Sequence, residues 1–114
     1  MTINLTDYIS IKHWADDDKP REKLTQHGRS SLSNAELIAI LLTNGTKNKS
    51  ALDLAREILQ RAESDLNKLS KMSIADFGKI NGIGPAKAIS LIAAIELGGR
   101  RQKASQSTKI IKSS

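Results

Sequence analysis

The segment Ile80-Asn81-Gly82-Ile83-Gly84-Pro85-Ala86-Lys87-Ala88 decides how the chain is expected to fold. Two glycines on either side of one aliphatic residue permit a tight reversal, because glycine tolerates positive φ and places no side chain in the way. Pro85 suits the first turn of a helix, where its missing N–H would have no partner in any case. The segment therefore predicts two helices joined by a short turn.

The backbone of this turn is expected to form an anion site. The amides of Gly82, Gly84 and Ala86 would point outward at the start of the second helix, where they lack intrahelical acceptors and lie at the positive end of the helix dipole. Lys87 lies one turn into that helix and can add a charge-assisted contact. Ile83 is expected to turn inward and fix the turn to the core. Such contacts suit a phosphate and carry no information about base sequence.

The range Ile80–Ala94 resembles the helix-hairpin-helix motif, in which an aliphatic-Gly-aliphatic-Gly turn and a basic residue on the second helix hold a DNA backbone. An ordinary glycine turn is the alternative, since two glycines at this spacing are common, and some hairpins of this kind serve only protein packing. The helical pattern on both sides of the turn favours the motif. The predicted DNA-phosphate-binding residues are Gly82, Ile83, Gly84, Ala86 and Lys87.

Serines followed three residues later by an acidic residue mark the starts of further helices. Such a serine can accept a hydrogen bond from the amide at the third helical position, while the acidic side chain reaches back to the serine amide. The pairs are Ser33 with Glu36, Ser50 with Asp53, and Ser73 with Asp76. Apolar residues at helical spacing predict helices over 34–42, 51–61 and 73–80, with one further turn at 65–69. The helix over 34–42 is apolar enough to be buried on most sides.

These elements predict an all-α fold, a compact bundle of about five short helices. No segment alternates between apolar and polar residues as a half-buried strand does. The order of a helix, a glycine turn and a second helix occurs twice, first with helices 34–42 and 51–61 and again with helices 73–80 and 86–98. The bundle is therefore expected to contain two pseudo-repeated helical hairpins.

The two ends are expected to lie outside the bundle, which is assigned to residues 20–102. Residues 1–19 show no sustained period and predict an extended lead-in before Pro20, which begins a short helix closed by Gly28. Gly98-Gly99 is expected to stop the last helix. Residues 103–114 are interpreted as a linker or the start of a missing downstream domain.

The charge is distributed unevenly along the chain. The formal net charge is +6, but residues 1–60 carry eight basic and eight acidic side chains. Residues 68–114 carry nine basic side chains against Asp76 and Glu96 alone. A one-sided basic segment is typical of proteins that bind polyanions, and a solvated basic tail is the alternative.

Several classes of site and location are not favoured by the composition. The chain has no cysteine, which excludes disulfides and thiolate metal sites. His13 and His27 have no paired ligand motif, so no metal site is expected. No apolar run is long enough to span a bilayer and no signal peptide is evident, so we expect a cytoplasmic protein without membrane contact. Asp16–Asp18 is interpreted as a solvated acidic turn, and Trp14 as packing on the first helix rather than stacking on a base.

The chain also resembles the amino-terminal region of the bacterial RadC-like proteins over roughly residues 11–101. The resemblance is carried by Trp14, by the run Asp17–Leu24, by Leu32–Leu37, by Gly45-Thr46-Lys47 and by the hairpin, with Pro20–Leu24 and Gly45–Lys47 the most specific parts. It implies a helical DNA-binding-like module placed before a JAB/MPN metalloprotease-like domain, and it carries an association with DNA repair. The His-x-His and Asp metal site of that second domain has no counterpart here, so the chain is interpreted as a fragment or a truncated member.

The leading hypothesis is a non-catalytic module that binds the DNA backbone without sequence specificity, with no cofactor and no catalytic residue. The alternative is a protein-interaction or tethering module for a downstream domain or partner. A base-excision glycosylase is disfavoured, since such enzymes use an aspartate downstream of the hairpin and none follows Asp76. Secondary DNA contacts are predicted at Gly45, Thr46, Lys47, Lys49, Lys79, Arg100 and Arg101.

Overall fold

The computed structural model describes the backbone of residues 5–112 and the side chains of residues 15–106. Within that range the chain is helical, without strands, and the predicted all-α class is confirmed. Six α-helices replace the five expected in the bundle, with a 3-10 turn at Arg29–Ser31 after the first of them. They are α1 (Leu5–His27), α2 (Asn34–Leu42), α3 (Ala51–Arg61), α4 (Leu66–Leu69), α5 (Ile74–Gly78) and α6 (Pro85–Lys112).

Reciprocal serine caps start three of these helices, as predicted. At α2 the Ser33 Oγ accepts the Glu36 amide at 3.2 Å, and the Glu36 carboxylate accepts the Ser33 amide at 2.9 Å. The same two-way bond forms at the starts of α3 and α5. Each cap satisfies amides that the first helical turn leaves without an acceptor, which fixes where the helix begins.

The core lies between α2, α3, α5 and α6. Its largest fully buried side chains are Phe77, Leu42, Leu54, Ile58 and Leu91. Helix α3 crosses the middle of the core and buries Leu54, Ala55 and Ile58 completely. Helix α2 buries one face only, since Leu37 and Leu41 each remain 39% exposed. The expectation that α2 is buried on most sides was therefore wrong.

The expected extended lead-in was also wrong over residues 5–19, because α1 already begins at Leu5 and runs to His27. Residues 1–4 of that prediction lie outside the described residues. Pro20 lies inside α1 rather than at its start, and its side chain is buried. A proline inside a helix removes one backbone hydrogen bond, but tertiary contacts override that local cost when they hold both sides of it. Here Asp17 and Arg21 supply such contacts, which are described below. Gly28, at φ +88°, ends the helix as predicted.

Gly98 and Gly99 do not stop α6, which continues to Lys112. Neither glycine adopts the positive φ of a helix-ending residue. Glycine inside a helix costs about 1 kcal/mol relative to alanine, and the Arg, Gln, Lys and Ala residues that follow favour helix. The expected linker at 103–114 is thus helical as far as 112. The side chains of residues 96–106 are all exposed, so this part of α6 projects beyond the core.

None of the described helices holds a stretch both long and apolar enough to cross a bilayer.

The capping carboxylates should make stability depend on pH. The Ser33 amide, followed by the Lys23 ammonium, holds the pKa of Glu36 below its ordinary value of 4.5. A carboxylate whose folded pKa is depressed stabilises the fold fully above its unfolded pKa, and this contribution is lost as the pH falls through the folded pKa. Thermal melting should show Tm falling as the pH drops below about 4.5. The Glu36→Gln variant keeps a capping oxygen without a titrating group, so its Tm should fall less steeply; equal slopes would contradict this origin.

Candidate nucleic-acid interface

The turn between α5 and α6 is fixed to the core by its two isoleucines. The Ile83 amide donates to the Ile80 carbonyl at 3.1 Å, and the two side chains are 5% and 3% exposed. Ile83 thus points inward, as predicted. Gly82 lies between them at φ +104°, a backbone conformation that side chains disfavour. A Cβ at this position would also lie 3.0 Å from carbon atoms of both Leu54 and Thr46, so packing as well as backbone geometry requires glycine here.

The second glycine of the turn is not required by the fold. A Cβ added to Gly84 would meet no atom within 4 Å, and the φ of Gly84 is not positive. Its carbonyl accepts the first helical hydrogen bond of α6, from the Ala88 amide at 3.1 Å. Because Gly84 has no side chain, a ligand can approach its backbone from the solvent side.

The three amides predicted to hold an anion have no acceptor within the described part of the chain. They belong to Gly82, Gly84 and Ala86, of which the last two residues are exposed. The first four N–H groups of an α-helix lack intrahelical acceptors. In α6 one of these positions is Pro85, which has no N–H, and no described side chain caps the amides of the others. Since α6 is 28 residues long, its dipole adds positive potential at this end.

Lys87 connects this turn to the loop between α2 and α3. Its Nζ donates to the Asn44 Oδ1 at 3.1 Å, a contact between residues 43 positions apart. The two residues border a pocket of about 190 Å³ that also reaches Leu41 and Ser90. The Lys87 ammonium is therefore held at the surface between two loops.

The loop formed by residues 43–49 begins with a strained turn. Thr43 has φ 72° and ψ −55°, and the Asn44 amide donates across it to the Leu42 carbonyl at 2.8 Å. This is a γ-turn of positive φ, a rare conformation for a β-branched residue. Such strain persists only where neighbouring contacts enforce it. The turn directs the chain from α2 toward Asn44 and the Lys87 side chain.

Loop 43–49 closes on itself at Gly45. The Thr46 amide donates to the Lys49 carbonyl at 2.8 Å, and the Thr46 hydroxyl accepts the Lys49 amide at 3.1 Å. A Cβ at Gly45 would lie 2.0 Å from the Lys49 carbonyl oxygen and 2.8 Å from the Ala51 nitrogen. The backbone of residues 49–51, at the far end of the loop, is thus in direct contact with Gly45.

A buried carboxylate of α1 holds loop 43–49 in place. Asp17 is 6% exposed, and its two oxygens accept the Gly45 amide at 2.9 Å and the Ala51 amide at 2.6 Å. Arg21, one turn further along α1, donates to the Thr43 carbonyl and, at 3.3 Å, to the Asp17 carbonyl. The interpretation of Asp16–Asp18 as a solvated acidic turn was therefore wrong for Asp17, because the loop amides need an acceptor.

Sequence reasoning missed Asp17 and Arg21 as residues that build this surface. The partners of Asp17 are 28 and 34 positions away, and no local pattern marks such distant pairs. The available signal was indirect: the loop around Gly45 leaves amides that some acceptor must satisfy. His27 ends α1, and no group of three potential metal ligands occurs among the described side chains. The side chains of His13 and Trp14 lie outside the described residues.

The structure brings most of the predicted secondary contacts to the hairpin. Thr46, Asn48 and Lys49 border, with Asn81 and Gly82, a pocket of about 180 Å³. Lys47 is exposed on the same loop. The Lys49 ammonium is paired with the Glu57 carboxylate at 2.9 Å, which neutralises part of its charge.

Lys79 lies beside this pocket, at the end of α5. The nearest carboxylate to its ammonium among the described residues is that of Asp76, at 3.9 Å, and its side chain is 68% exposed. The Ser73 amide and hydroxyl, together with the Lys79 charge, lower the pKa of Asp76. Lys79 therefore makes the smallest of these contributions to the lowered pKa of Asp76, and its ammonium remains open to solvent.

Arg100 and Arg101 are not brought to the hairpin. They lie on the projecting part of α6, roughly 22 Å along the helix axis from Pro85 at 1.5 Å per residue. Arg100 pairs with Glu96 at 2.9 Å, as the spacing of four residues predicts. Any contact they make with a ligand would be separate from the one at the hairpin.

Comparison with known proteins places the chain in a family. The family described as UPF0758 N-terminal matches residues 11–89. The chain is similar to a UPF0758 protein of Flavobacterium johnsoniae, at 50% identity over 92% of this chain and 45% of the relative. It is also similar to UPF0758 proteins of Alkaliphilus oremlandii (48% identity, 82% of this chain, 40% of the relative) and Staphylococcus aureus strain Newman (46%, 90% and 44%).

The chain therefore spans less than half the length of these curated relatives. No solved structure shows significant similarity to it. The matches confirm the resemblance to the amino-terminal region of the RadC-like family, and the names of these relatives state no activity.

Proposed function

The chain belongs to the UPF0758 family through that family's N-terminal region, and from this premise we propose that it is a non-catalytic module that binds the phosphate backbone of DNA without sequence specificity. One observation carries the proposal: the amides of Gly82, Gly84 and Ala86 have no acceptor among the described residues, and they stand beside Lys87 at the start of α6. In this proposal the turn between α5 and α6 acts as a helix-hairpin-helix motif.

The chemistry of this turn suits a phosphate better than a neutral ligand. Backbone amides at a helix N-terminus donate hydrogen bonds in the direction of the helix dipole, and both effects favour an anion. Gly84 lets such an anion approach the backbone, since no Cβ stands in front of it. The Lys87 ammonium adds a charge-assisted bond from a position already set by Asn44. None of these donors reads a base, so the binding is expected to be independent of sequence.

The contact with DNA should weaken as salt rises. Phosphates neutralised by Lys and Arg release counterions, and the slope of log K against log salt reports their number. The Lys87→Glu variant should bind DNA about tenfold or more weakly, because it replaces a charge-assisted bond with repulsion. Fluorescence anisotropy with labelled duplex, single-stranded and branched DNA at several salt concentrations measures both quantities.

Lys103→Glu is the matched control for this variant, since it makes the same charge change at an exposed position of the same helix, far from the turn. It should retain near wild-type affinity. Circular dichroism melting shows whether each variant is folded. A folded Lys87→Glu protein that binds as tightly as wild type, or no more weakly than Lys103→Glu, would reject the hairpin contact.

A protein-interaction or tethering module is the second candidate function, and exposed apolar side chains favour it. Leu37 and Leu41 lie one turn apart on α2 and are each 39% exposed, while Leu97 on α6 is 71% exposed. Exposed apolar groups that cluster are typical of surfaces that bind another protein. This candidate predicts no salt-dependent affinity for DNA, so the same titration separates the two. In either case we propose that any catalysis belongs to another part of the longer relatives.

A further inference from the structure

A third, larger pocket lies next to the turn, where Ile80 and Asn81 form part of its lining. It has a volume of about 470 Å³, and its polar lining consists of Lys49, Glu57, Gln60, Arg61, Lys79 and Asn81. Lys49 and Asn81 also border the smaller pocket that reaches Gly82. The two pockets therefore adjoin, and together they are here called the α3 groove, which extends from the α5–α6 turn to the C-terminal end of α3.

The charges of the α3 groove are not balanced within the protein. The Lys49 ammonium is held by both oxygens of Glu57, at 2.9 and 3.1 Å, so this pair contributes little net charge. Arg61 is exposed, and no carboxylate lies within 4.0 Å of its guanidinium among the described residues. Among the described residues, the only carboxylate within 4.0 Å of the Lys79 ammonium is that of Asp76, at 3.9 Å. Two cations thus face the groove with weak compensation or none.

We propose that the α3 groove is a second phosphate site, in which Arg61 and Lys79 bind the backbone of the same DNA strand that the α5–α6 turn holds. This inference rests on the proposed function and extends it to residues on α3. A guanidinium offers paired N–H donors that match two phosphate oxygens, and an ammonium adds a point charge. The groove lining contains no aromatic side chain on which a base could stack, which favours a backbone contact over a bound nucleobase.

The position of Arg61 has one structural explanation that the test must separate from binding. Arg61 is in the last turn of α3, where a cation interacts favourably with the helix dipole. The same effect applies to Lys79, which is the C-cap of the five-residue helix α5. It accounts for a positive charge at the end of each helix, but it does not explain why both cations line one groove. A strand passing over Asn81 would meet both.

The experiment measures DNA affinity by fluorescence anisotropy at several salt concentrations, with single-residue variants of the full chain. Arg61→Gln and Lys79→Gln should each weaken binding about three- to tenfold and lower the salt slope by about 0.7 to 0.9, the contribution of one phosphate. Arg56→Gln is the matched control: Arg56 is on the same helix, its side chain is 66% exposed, and it borders a different pocket together with Asp16, Glu36 and Asp53. It should leave the affinity and the slope unchanged.

A charge-preserving variant and a competitor make the result specific. Arg61→Lys keeps the positive charge, so the salt slope of DNA binding should stay at the wild-type value while part of the affinity is lost. Because this variant also keeps a cation at the C-terminal end of α3, a loss of affinity reports the phosphate contact rather than a disturbed helix end. Melting curves should place all four variants close to wild type. Unlabelled DNA should displace the labelled strand, whereas inorganic phosphate at the same total phosphate concentration should not. Equal displacement by inorganic phosphate would overturn the assignment to a strand.

Failure of this inference differs from failure of the proposed function. If Lys87→Glu weakens binding but Arg61→Gln and Lys79→Gln bind with the wild-type affinity and slope, the groove proposal is wrong and the hairpin contact stands. If the wild-type chain shows no salt-dependent affinity for DNA, both proposals are wrong. If Lys87→Glu, Arg61→Gln and Lys79→Gln all weaken binding and Arg56→Gln does not, both proposals are supported, and the DNA strand runs from the α5–α6 turn along the α3 groove.

Discussion

The Gly45→Ala variant should lose about 3 kcal/mol or more of its free energy of unfolding, at the upper end of what an inserted methyl group costs in a packed site. The added Cβ would lie 2.0 Å from the Lys49 carbonyl oxygen and 2.6 Å from the Ser50 carbonyl carbon. Both neighbours are backbone atoms, so no side-chain rotation relieves the overlap. The φ of Gly45 is not positive, and the loss is therefore steric rather than conformational. Chemical denaturation at neutral pH measures it.

Gly84→Ala is the control for this variant, because a Cβ there meets no atom within 4 Å and the backbone φ is acceptable. Its stability should differ from wild type by less than about 1 kcal/mol. If the Gly45→Ala protein were as stable as Gly84→Ala, loop 43–49 could move away from residue 45 without a loss of folding free energy. The claim that the close contact at Gly45 is required for stability would then be wrong.

The Asp17→Ala variant should lose about 3 kcal/mol, because the Gly45 and Ala51 amides would both be left without their acceptor. An unsatisfied buried donor costs about 1–3 kcal/mol. The Asp17→Asn variant should lose less, since one amide oxygen remains while the amide nitrogen faces a donor. Asp18→Asn is the neighbouring control: the Asp18 side chain is 66% exposed and pairs only with Arg21 among the described residues.

Denaturation curves of these three variants should rank Asp18→Asn close to wild type, then Asp17→Asn, then Asp17→Ala. Exposed pairs such as Asp18 with Arg21 contribute about 0–1 kcal/mol, which sets the expected size of the control effect. If Asp17→Asn and Asp18→Asn were equally stable, the hydrogen bonds of the Asp17 carboxylate to the loop would make no net contribution to the free energy of unfolding, and this prediction would be wrong.

Helix starts could be predicted from sequence where the signal is local. The serine caps at 33, 50 and 73 bind residues three positions away, so the pattern and the structure contain the same information. The start of α1 and the end of α6 could not be predicted in this way. Pro20 and Gly98-Gly99 disfavour helix locally, yet both lie inside helices. Propensity is a weak preference that tertiary contacts readily override, and α1 shows this through Asp17 and Arg21.

The candidate site also contains a part that could be predicted from local sequence and a part that depends on distant contacts. The α5–α6 turn, with Gly82, Ile83 and Lys87, is contiguous in sequence, and the direction of Ile83 followed from the pattern of apolar residues. The approach of loop 43–49 depends on the contacts of Asp17 and of Lys87, which join residues 28 to 43 positions apart. Arg61 is further still from any motif, since its relevance comes only from the groove that it shares with Lys79.

The carboxylate of Asp17 has a consequence for how the surface opens. One side chain on α1 holds two amides that belong to different elements, Gly45 in the loop and Ala51 at the start of α3. Undocking of α1 releases both at once, so their hydrogen exchange should report a single opening event with a single free energy. A ligand that binds loop 43–49 only in its docked form must then also protect α1 from opening, and by reciprocity a better docked α1 tightens binding of that ligand. Helix α1, which carries none of the proposed phosphate contacts, thereby sets the fraction of molecules that are competent to bind.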